Sequence, residues 1–566
     1  MTYVDRADAP LRVGFLLDSM RVSAWVYHML EQLTEADYCR PALVVLPAPS
    51  TAAPRSIRQK LGALGPGGKL LAEYYLRWDA RGTAPEHDPF RSRNAADLLR
   101  DVPSIAVSPQ RTRFSDRFAE HDIEQIRKFE LDVIVRVGFR VLRGDILRSA
   151  RYGVWSLHHG DAAVNRGGPA GFWEVIDDHP TTGATLQILS EELDGGTVLC
   201  RSWSASKRGS VAANRASYYW KTAMLVPRML KRLHQQGEAS FFAAVRAANR
   251  HPTFYCQRLY TTPKNAQLAP LLGKLVARKI RRRLSARRTF RQWILLYRFG
   301  DTPARAPHQF RRLVPPPDRF WADPIVCATG DAHYVFLEEL LYADGKGRIA
   351  VATLTPDGSF STPQVVLERP YHLSYPFLLR WNGELYMIPE SAQNKTIDAY
   401  RCVRFPDEWV LDRTLMQDTI AYDSTLFEHD GRWWLFANVV EHPGIPSTEE
   451  LFVFHADSPL STEWISHPLN PVISDVRRAR PAGPVFRHNG ALYRPSQDSA
   501  ELYGHKLRLN EIVTLNPCEY EEREVSVVEP AWDRRIVGVH HLAFDGQLTM
   551  MDAQLLRRGA PRTVDR

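Results

Sequence analysis

The sequence predicts a multidomain chain with two architectures. An α/β sandwich occupies residues 1–205, an all-β region occupies residues 291–566, and a helical extension with a basic connector (206–290) joins them. Three observations predict this. Apolar strand candidates alternate with helical segments in the amino-terminal part. Helical periodicity then fades. After it, short aromatic-rich strands alternate with Gly, Asp and Asn turns, and the pattern repeats. A chain of 566 residues has room for two or more domains. Its 44% hydrophobic and 24% charged residues are the composition of an ordinary globular protein.

The amino-terminal elements follow in order. Leu11–Leu17 is a buried strand candidate, Ser23–Leu33 a helix with apolar residues at helical spacing, and Ala42–Leu46 a second strand. A helical stretch near Leu70–Trp78 and a helix at Ile123–Phe129 lead to the strand Leu131–Val137, which only Arg136 interrupts. Gly153–His158 and Ala184–Leu189 complete the set. Apolar strands separated by helices predict a parallel sheet covered on both faces, an α/β fold of Rossmann type. Trp220–Leu233 reads as an amphipathic helix and Leu268–Leu284 as another, which runs into ARKIRRRLSARR.

From Arg291 a unit recurs: DPIVCATGDAHYVFLEE, YPFLLRWNGELYMIPES, STLFEHDGRWWLFAN, GPVFRHNGALYRPSQD and HHLAFDGQLTMMD. Each copy is strand, tight turn, strand. Asn382-Gly383, Asp430-Gly431, Asn489-Gly490 and Asp545-Gly546 are hairpin signals, and the first copy carries Gly330-Asp331 instead. A period of about fifty residues with four strands per unit predicts a β-propeller, and five copies predict five blades. Arg291–Arg298 precedes the first copy and is placed to supply a closing strand. A Greek-key sandwich is the alternative.

Charge and cysteine usage bound the function classes. The six cysteines lack C-x-x-C spacing, which argues against a zinc site or a disulfide framework and fits a reducing, cytoplasmic location. No metal site is expected. The polar start MTYVDRADAP does not read as a signal peptide, and no apolar run reaches the roughly 18 residues that span a bilayer. The net charge is +9, with much of it in Lys274–Arg291. That segment is either a peripheral contact with anionic lipid or phosphate, or a solvated helix face. No recognition motif accompanies the charge, so nucleic acid is not an expected partner.

The richest stretch is Gly153–Leu199. His158 ends a strand, where open α/β sheets bind ligands. Asp194 sits on the turn Leu193-Asp194-Gly195-Gly196, where glycines let the backbone pass close to a ligand. Taken singly, such a His is often a capped strand end and such an Asp-Gly-Gly only a turn. Together they are parts of a proton-transfer site.

In its order of motifs the stretch resembles the formyltransferase family, which includes the amino-terminal domains of methionyl-tRNA formyltransferase, glycinamide ribonucleotide transformylase and nucleotide-sugar N-formyltransferases. The matching residues are Ser156-Leu157-His158, Arg166-Gly167, Thr182-Gly183-Ala184-Thr185 and Leu193-Asp194-Gly195-Gly196. The resemblance implies 10-formyltetrahydrofolate as cofactor and His158, Asp194 and Ser156 as catalytic residues. It further implies Val137, Gly138, Phe139, Leu142, Gly195 and Gly196 around the cofactor, with Arg166 and Gly167 at the substrate. One departure stands out: Ser156 takes the place of the family's Asn. Its shorter side chain leaves His159 or Asn165 as alternative donors.

In the repeat region Asp323, Glu390, Asp423 and His540 lie at comparable positions of successive units, as does Asp498. Carboxylates with aromatic walls suit sugar binding or glycoside chemistry. Through Trp321-Ala322-Asp323-Pro324 and Phe336–Glu339 the region resembles the amino-terminal part of the glucosamine inositolphosphorylceramide transferases. Two readings follow. One is a folate-dependent formyl transferase acting on an amino sugar, nucleotide-sugar or glycan. The other is a formyltransferase fold with altered chemistry, whose propeller binds or processes carbohydrate.

Overall fold

In the computed structural model, the described residues are 9–49, 67–82, 87–112, 114–193, 195–251, 259–303, 306–329 and 332–559. The chain divides into two compact units, Met1–Val276 and Ala277–Arg566.

Unit 1 is built on seven strands: β1 (Leu11–Leu16), β2 (Cys39–Pro47), β3 (Ser104–Val107), β4 (Val133–Arg136), β5 (Val154–His158), β6 (Thr181–Ile188) and β7 (Thr197–Ala205). Their order is β7-β6-β5-β4-β1-β2-β3. The five strands from β5 to β3 are parallel, and their apolar runs are buried as expected of a sheet covered on both faces. The helices are α1 (Ala24–Thr34), α2 (Leu70–Gly82), α3 (Glu120–Arg127), α4 (Phe172–Ile176), α5 (Val211–Ala223), α6 (Leu225–Ala248) and the start of α7 (Asn265–Arg288), whose residues from Ala277 on belong to unit 2.

The fully parallel sheet expected from the sequence is corrected at β6 and β7, which run antiparallel. A parallel return needs a crossover that carries the chain back along the strand. Between β5 and β6 the only helix is the five-residue α4, about 7.5 Å long at 1.5 Å per residue. The chain therefore re-enters the sheet beside His158, with Thr185 opposite it, and leaves beside Trp155, with Ile188 opposite that. Helix α5 is started by Ser210, whose hydroxyl accepts from the Ala213 N–H, and Asp79 of α2 accepts from both Ser210 and the Ala212 N–H. These bonds fasten the helical layer to itself.

Unit 2 contains five antiparallel sheets among the described residues. The first unites both ends of the region: Thr289–Phe299 pairs along its whole length with Leu548–Arg558, flanked by Arg311–Leu313 and Ile536–Gly538. The other four follow in chain order, opening at Arg319–Thr329, Ser374–Trp381, Ala421–His429 and Phe486–His488. Asn382-Gly383, Asp430-Gly431 and Asn489-Gly490 all have positive φ at both residues, the backbone that such dipeptides favour in two-residue hairpins. At Asp545-Gly546 only the glycine has positive φ. Gly330-Asp331 lies outside the described residues.

The first strands of the second, third and fourth sheets share a further irregularity. Register slips between Ala322 and Ile325, between Ser374 and Phe377, and between Tyr422 and Thr425. At each slip one residue has positive φ: Asp323 (51°), Tyr375 (45°) and Asp423 (53°). A bulge inserts a residue and re-aims its side chain. Asp tolerates the left-handed region better than most residues, which suits it to this duty.

Candidate functional site

In unit 1, Ser156 and His158 stand two residues apart on β5, so they share a face of the sheet. Ser156 is buried, and its neighbour across the parallel pair is Arg136. The Arg136 guanidinium donates to Ser156 Oγ at 3.0 Å, to the Phe139 carbonyl at 2.9 Å and to the Arg140 carbonyl at 3.1 Å. Sequence reasoning noted Arg136 only as an interruption of the strand. A lone charge in an apolar strand was the available signal, because a buried guanidinium must find acceptors.

His158 ends β5 with Gly160 packed against it, where a Cβ would come 3.1 Å from His158 Nε2. His159 is enclosed by aromatic rings. It stacks on Tyr219 at 4.1 Å and meets the edge of Trp25 at 5.3 Å. Burial, followed by the nearby His158 and Arg215 charges, pushes His159 down to about 3. Asp161 accepts from Trp203 Nε1 and from the Ala163 N–H. Burial lifts the Glu174 carboxyl to about 7, although the Asn165 amide bonds to it.

The residues expected around the cofactor are placed as follows. The Val137 and Gly138 N–H groups donate to the Leu16 carbonyl, and the Phe139 N–H to Asp18 at 2.8 Å. The Arg140 N–H donates to Asp116, and the Phe139 and Arg140 carbonyls accept from Arg136. Leu142 is in the hydrophobic core. These bonds tie the segment to its own chain through the Val137, Gly138, Phe139 and Arg140 N–H groups and the Phe139 and Arg140 carbonyls.

Gly196 packs on the Ile188 carbonyl, beside Trp155, three residues from His158 along β5. The Gly195 N–H donates to Glu192. Asp194 lies outside the described residues. Arg166 and Gly167 form a short parallel pairing with Leu259 and Tyr260, and a Cβ on Gly167 would lie 2.2 Å from the Tyr260 carbonyl.

In unit 2 four of the five residues singled out from the sequence, all but Asp498, meet in one buried cluster. Arg480 is its hub. Its Nε donates to Asp423 at 2.6 Å, and its Nη2 to Asp423 at 3.2 Å and to Glu390 at 3.3 Å. Its guanidinium lies over the rings of Tyr422 (5.0 Å) and Tyr503 (5.3 Å). Gln497 also donates to Asp423. On the other side, His540 Nδ1 is 2.7 Å from Asp552, and its Nε2 is 3.8 Å from Asp323, whose N–H donates to Asp552. His541 Nδ1 lies 3.5 Å from the same Asp323 oxygen. Trp293 stacks on His540 at 4.0 Å. Asp323, His540 and Asp552 each present one atom within 4.8 Å of the others, a spacing that can hold a metal ion. They come from distant parts of the chain, so sequence spacing does not reveal them.

The cluster sorts its acids. Burial would raise Asp323, but His541, His540 and Arg480 outweigh it and hold the carboxyl below its ordinary range. Glu390 goes the other way: burial and the Asp423 charge lift it to about 8 against the pull of Arg480. Glu338 is lifted too, by burial and then by Asp323, Glu390, Asp552 and Asp423. An ionised carboxylate and a proton-bearing carboxyl thus share one centre. Groups pushed apart in this way take acid and base roles.

Arg480, Glu338, Asp552 and Gln497 are the residues that sequence reasoning missed. So many buried acids demand a cation, and Arg480-Pro481 sits just before the fourth repeat. Asp498, read as equivalent to the other acids, instead accepts from Arg508, and its neighbour Gln497 faces the cluster.

The family described as glucosamine inositolphosphorylceramide transferase 1, N-terminal, matches residues 313–549. The rice (Oryza sativa subsp. japonica) protein named glucosamine inositolphosphorylceramide transferase 1 is 35% identical over 256 residues, which are 43% of this chain and 34% of that protein. The chain therefore spans about a third of that relative's length. A methionyl-tRNA formyltransferase of Chlorobium chlorochromatii is 29% identical over 85 residues, 15% of this chain and 27% of that protein. Among solved structures, a family 117 glycoside hydrolase of Zobellia galactanivorans aligns at TM-score 0.31 and 13% identity, over 49% of this chain and 96% of its own. Likeness at that level carries no argument, and the fold rests on the chain's own topology.

Proposed function

We propose that the chain is a glycan-related transferase whose sugar site is the Arg480 cluster of unit 2. One observation carries this reading. Residues from all five sheets or their adjoining loops converge there: His540 and Asp552 from the first, Asp323 and Glu338 from the second, Glu390 from the third, Asp423 from the fourth, and Arg480 and Gln497 from the fifth. We read the five sheets as blades of a propeller around that centre. The relatives that match this region are named for glucosamine transfer, which supports an amino sugar as ligand.

The chemistry follows from the sorted acids. Asp423 and Asp323 accept hydrogen bonds from sugar hydroxyl or ammonium groups. Glu390, which keeps its proton at neutral pH, donates to an oxygen that becomes a leaving group. Tyr503, 41% exposed, offers an aromatic face beside Arg480 for the apolar side of a sugar ring.

Unit 1 in this reading is a formyltransferase-type fold with altered chemistry, because its expected cofactor segment bonds to its own chain. The test is calorimetry on the full chain with glucosamine, N-acetylglucosamine, glucose and 10-formyltetrahydrofolate. We expect saturable amino-sugar binding that Asp423→Asn weakens at least about tenfold and His158→Ala leaves unchanged, with no folate heat. Absence of sugar binding sinks the unit 2 site. Saturable folate binding, with a formylated amine whose formation His158→Ala abolishes, would instead make unit 1 the active centre.

A further inference from the structure

Helix α7 carries two different faces. Leu268 and Leu275 are buried against Phe172, Trp173 and Tyr75 of unit 1, so the first half of the helix is anchored. Further along, Val276 (53% exposed), Ile280 (53%) and Leu284 (51%) stand open. They recur every four residues, so at 100° per residue they span an arc of only about 80°. Exposed aliphatic side chains in a row, rather than singly, are the unusual observation.

Four bases flank that arc, while Arg278 and Arg282 fall on the opposite face, about 160° from Ile280, and the Arg287 position continues the arc one turn on. Between Lys274 and Arg291 there are nine Lys and Arg and no Asp or Glu, a number equal to the net charge of the whole chain. With Ile280 at the centre of the arc, Lys279 and Arg283 fall on one side and Arg281 and Arg288 on the other, each about 60–100° away. Arg281, Arg283 and Arg288 are exposed. Such residues bury their alkyl stems beside an apolar stripe while their charges reach outward.

We propose that this face of α7 docks on an anionic lipid bilayer, with Val276, Ile280 and Leu284 entering the headgroup–acyl boundary and the flanking bases meeting lipid phosphates. An aliphatic stripe with basic rails is the design of helices that lie in the interface plane. A solvated helix face explains the bases but not the stripe between them. No helix among the described residues is long and apolar enough to cross a membrane, so this contact lies on the surface. The proposal does not depend on the sugar site.

The experiment is flotation of the full chain with vesicles of phosphatidylcholine alone or with about one third phosphatidylserine. We expect binding at least about tenfold tighter to the anionic vesicles, weakening as salt rises, since the bases are drawn to the negative surface potential and salt screens it. Substituting Val276, Ile280 and Leu284 together by Ser should abolish flotation without changing the thermal melt. Arg281→Glu with Arg283→Glu should do the same, and serves if the triple variant fails to fold. Equal partition into both vesicle types overturns the proposal. So does undiminished flotation of the serine variant, which would mark the segment as a polyanion binder that never enters lipid.

Discussion

Unit 1 and unit 2 both gather polar side chains at strand ends, and they satisfy them in opposite ways. In unit 1 the groups bond largely to main chain, although Asp116 also pairs with the Arg140 guanidinium at 2.8 Å. Arg136 serves two carbonyls and one hydroxyl, Asp18 serves an amide, and His159 stays neutral among rings. In unit 2 side-chain charges meet one another: one guanidinium bonds to Asp423 and to the proton-bearing Glu390, and two imidazoles face Asp323. Main-chain bonding completes a scaffold. A charge network with one proton-bearing and one ionised acid keeps chemistry available, because a ligand can exchange places with its internal partners. On the function proposed above, the working centre is in unit 2.

The sharpest way to break that contrast is Arg480→Met. It leaves Asp423 and Glu390 buried without their cation, and removing one partner of a buried pair costs about 3–5 kcal/mol. Urea unfolding of the full chain should show the loss in the unit 2 transition, with unit 1 unmoved. Arg480→Met combined with Asp423→Asn and Glu390→Gln should recover much of it, since no uncompensated charge then remains. A loss below about 1 kcal/mol would mean that the cluster is not the electrostatic hub described above.

Arg136→Met tests unit 1 with a smaller effect. The carbonyls of Phe139 and Arg140 and the Ser156 hydroxyl would lose a donor, at about 1–3 kcal/mol for buried groups left unsatisfied. If Arg136 is what turns the Val137–Leu142 segment inward, the same variant should gain affinity for a folate analogue by calorimetry. Lost stability with no gain in folate binding would assign Arg136 a structural role alone.

Much of this was legible in the sequence, for reasons that differ by region. The repeat announced itself because Asn-Gly and Asp-Gly turns need positive φ, which leaves a mark in residue type. Asp323 and Asp423 were readable because they sit at the same place in the first and third copies, where the second has Tyr375. Arg480 and Asp552 were not, because nothing local to Arg480-Pro481 or to the strand Leu548–Arg558 shows which distant acids they meet. The direction of β6 was hidden as well. An apolar strand has the same pattern whichever way it runs, and only the shortness of α4 decides it. Ser156 looked like a defect in a known pattern. Its partner Arg136, twenty residues earlier, is what gives the position its present structural sense.

A pH profile is the most discriminating measurement, because His159 and Glu390 shift in opposite directions. His159 titrates near 3 when folded, against an ordinary 6.5. The unfolded chain therefore binds the extra proton first, and unit 1 loses stability as pH falls below 6.5 toward 3. Glu390 titrates near 8 when folded, against an ordinary 4.5. Here the folded chain holds the extra proton, so its contribution is full below 4.5 and is lost as pH rises through 8. Thermal melts from pH 4 to 9 should show the His159 contribution fading in acid and the Glu390 contribution fading in base, where Glu174 of unit 1 also loses its contribution as pH rises through about 7. His159→Phe should flatten only the acid limb, and Glu390→Gln only the basic one. If both variants moved the same limb, the two buried groups would belong to one cooperative unit, and the division between an inward-bonded scaffold and a charged centre would fail.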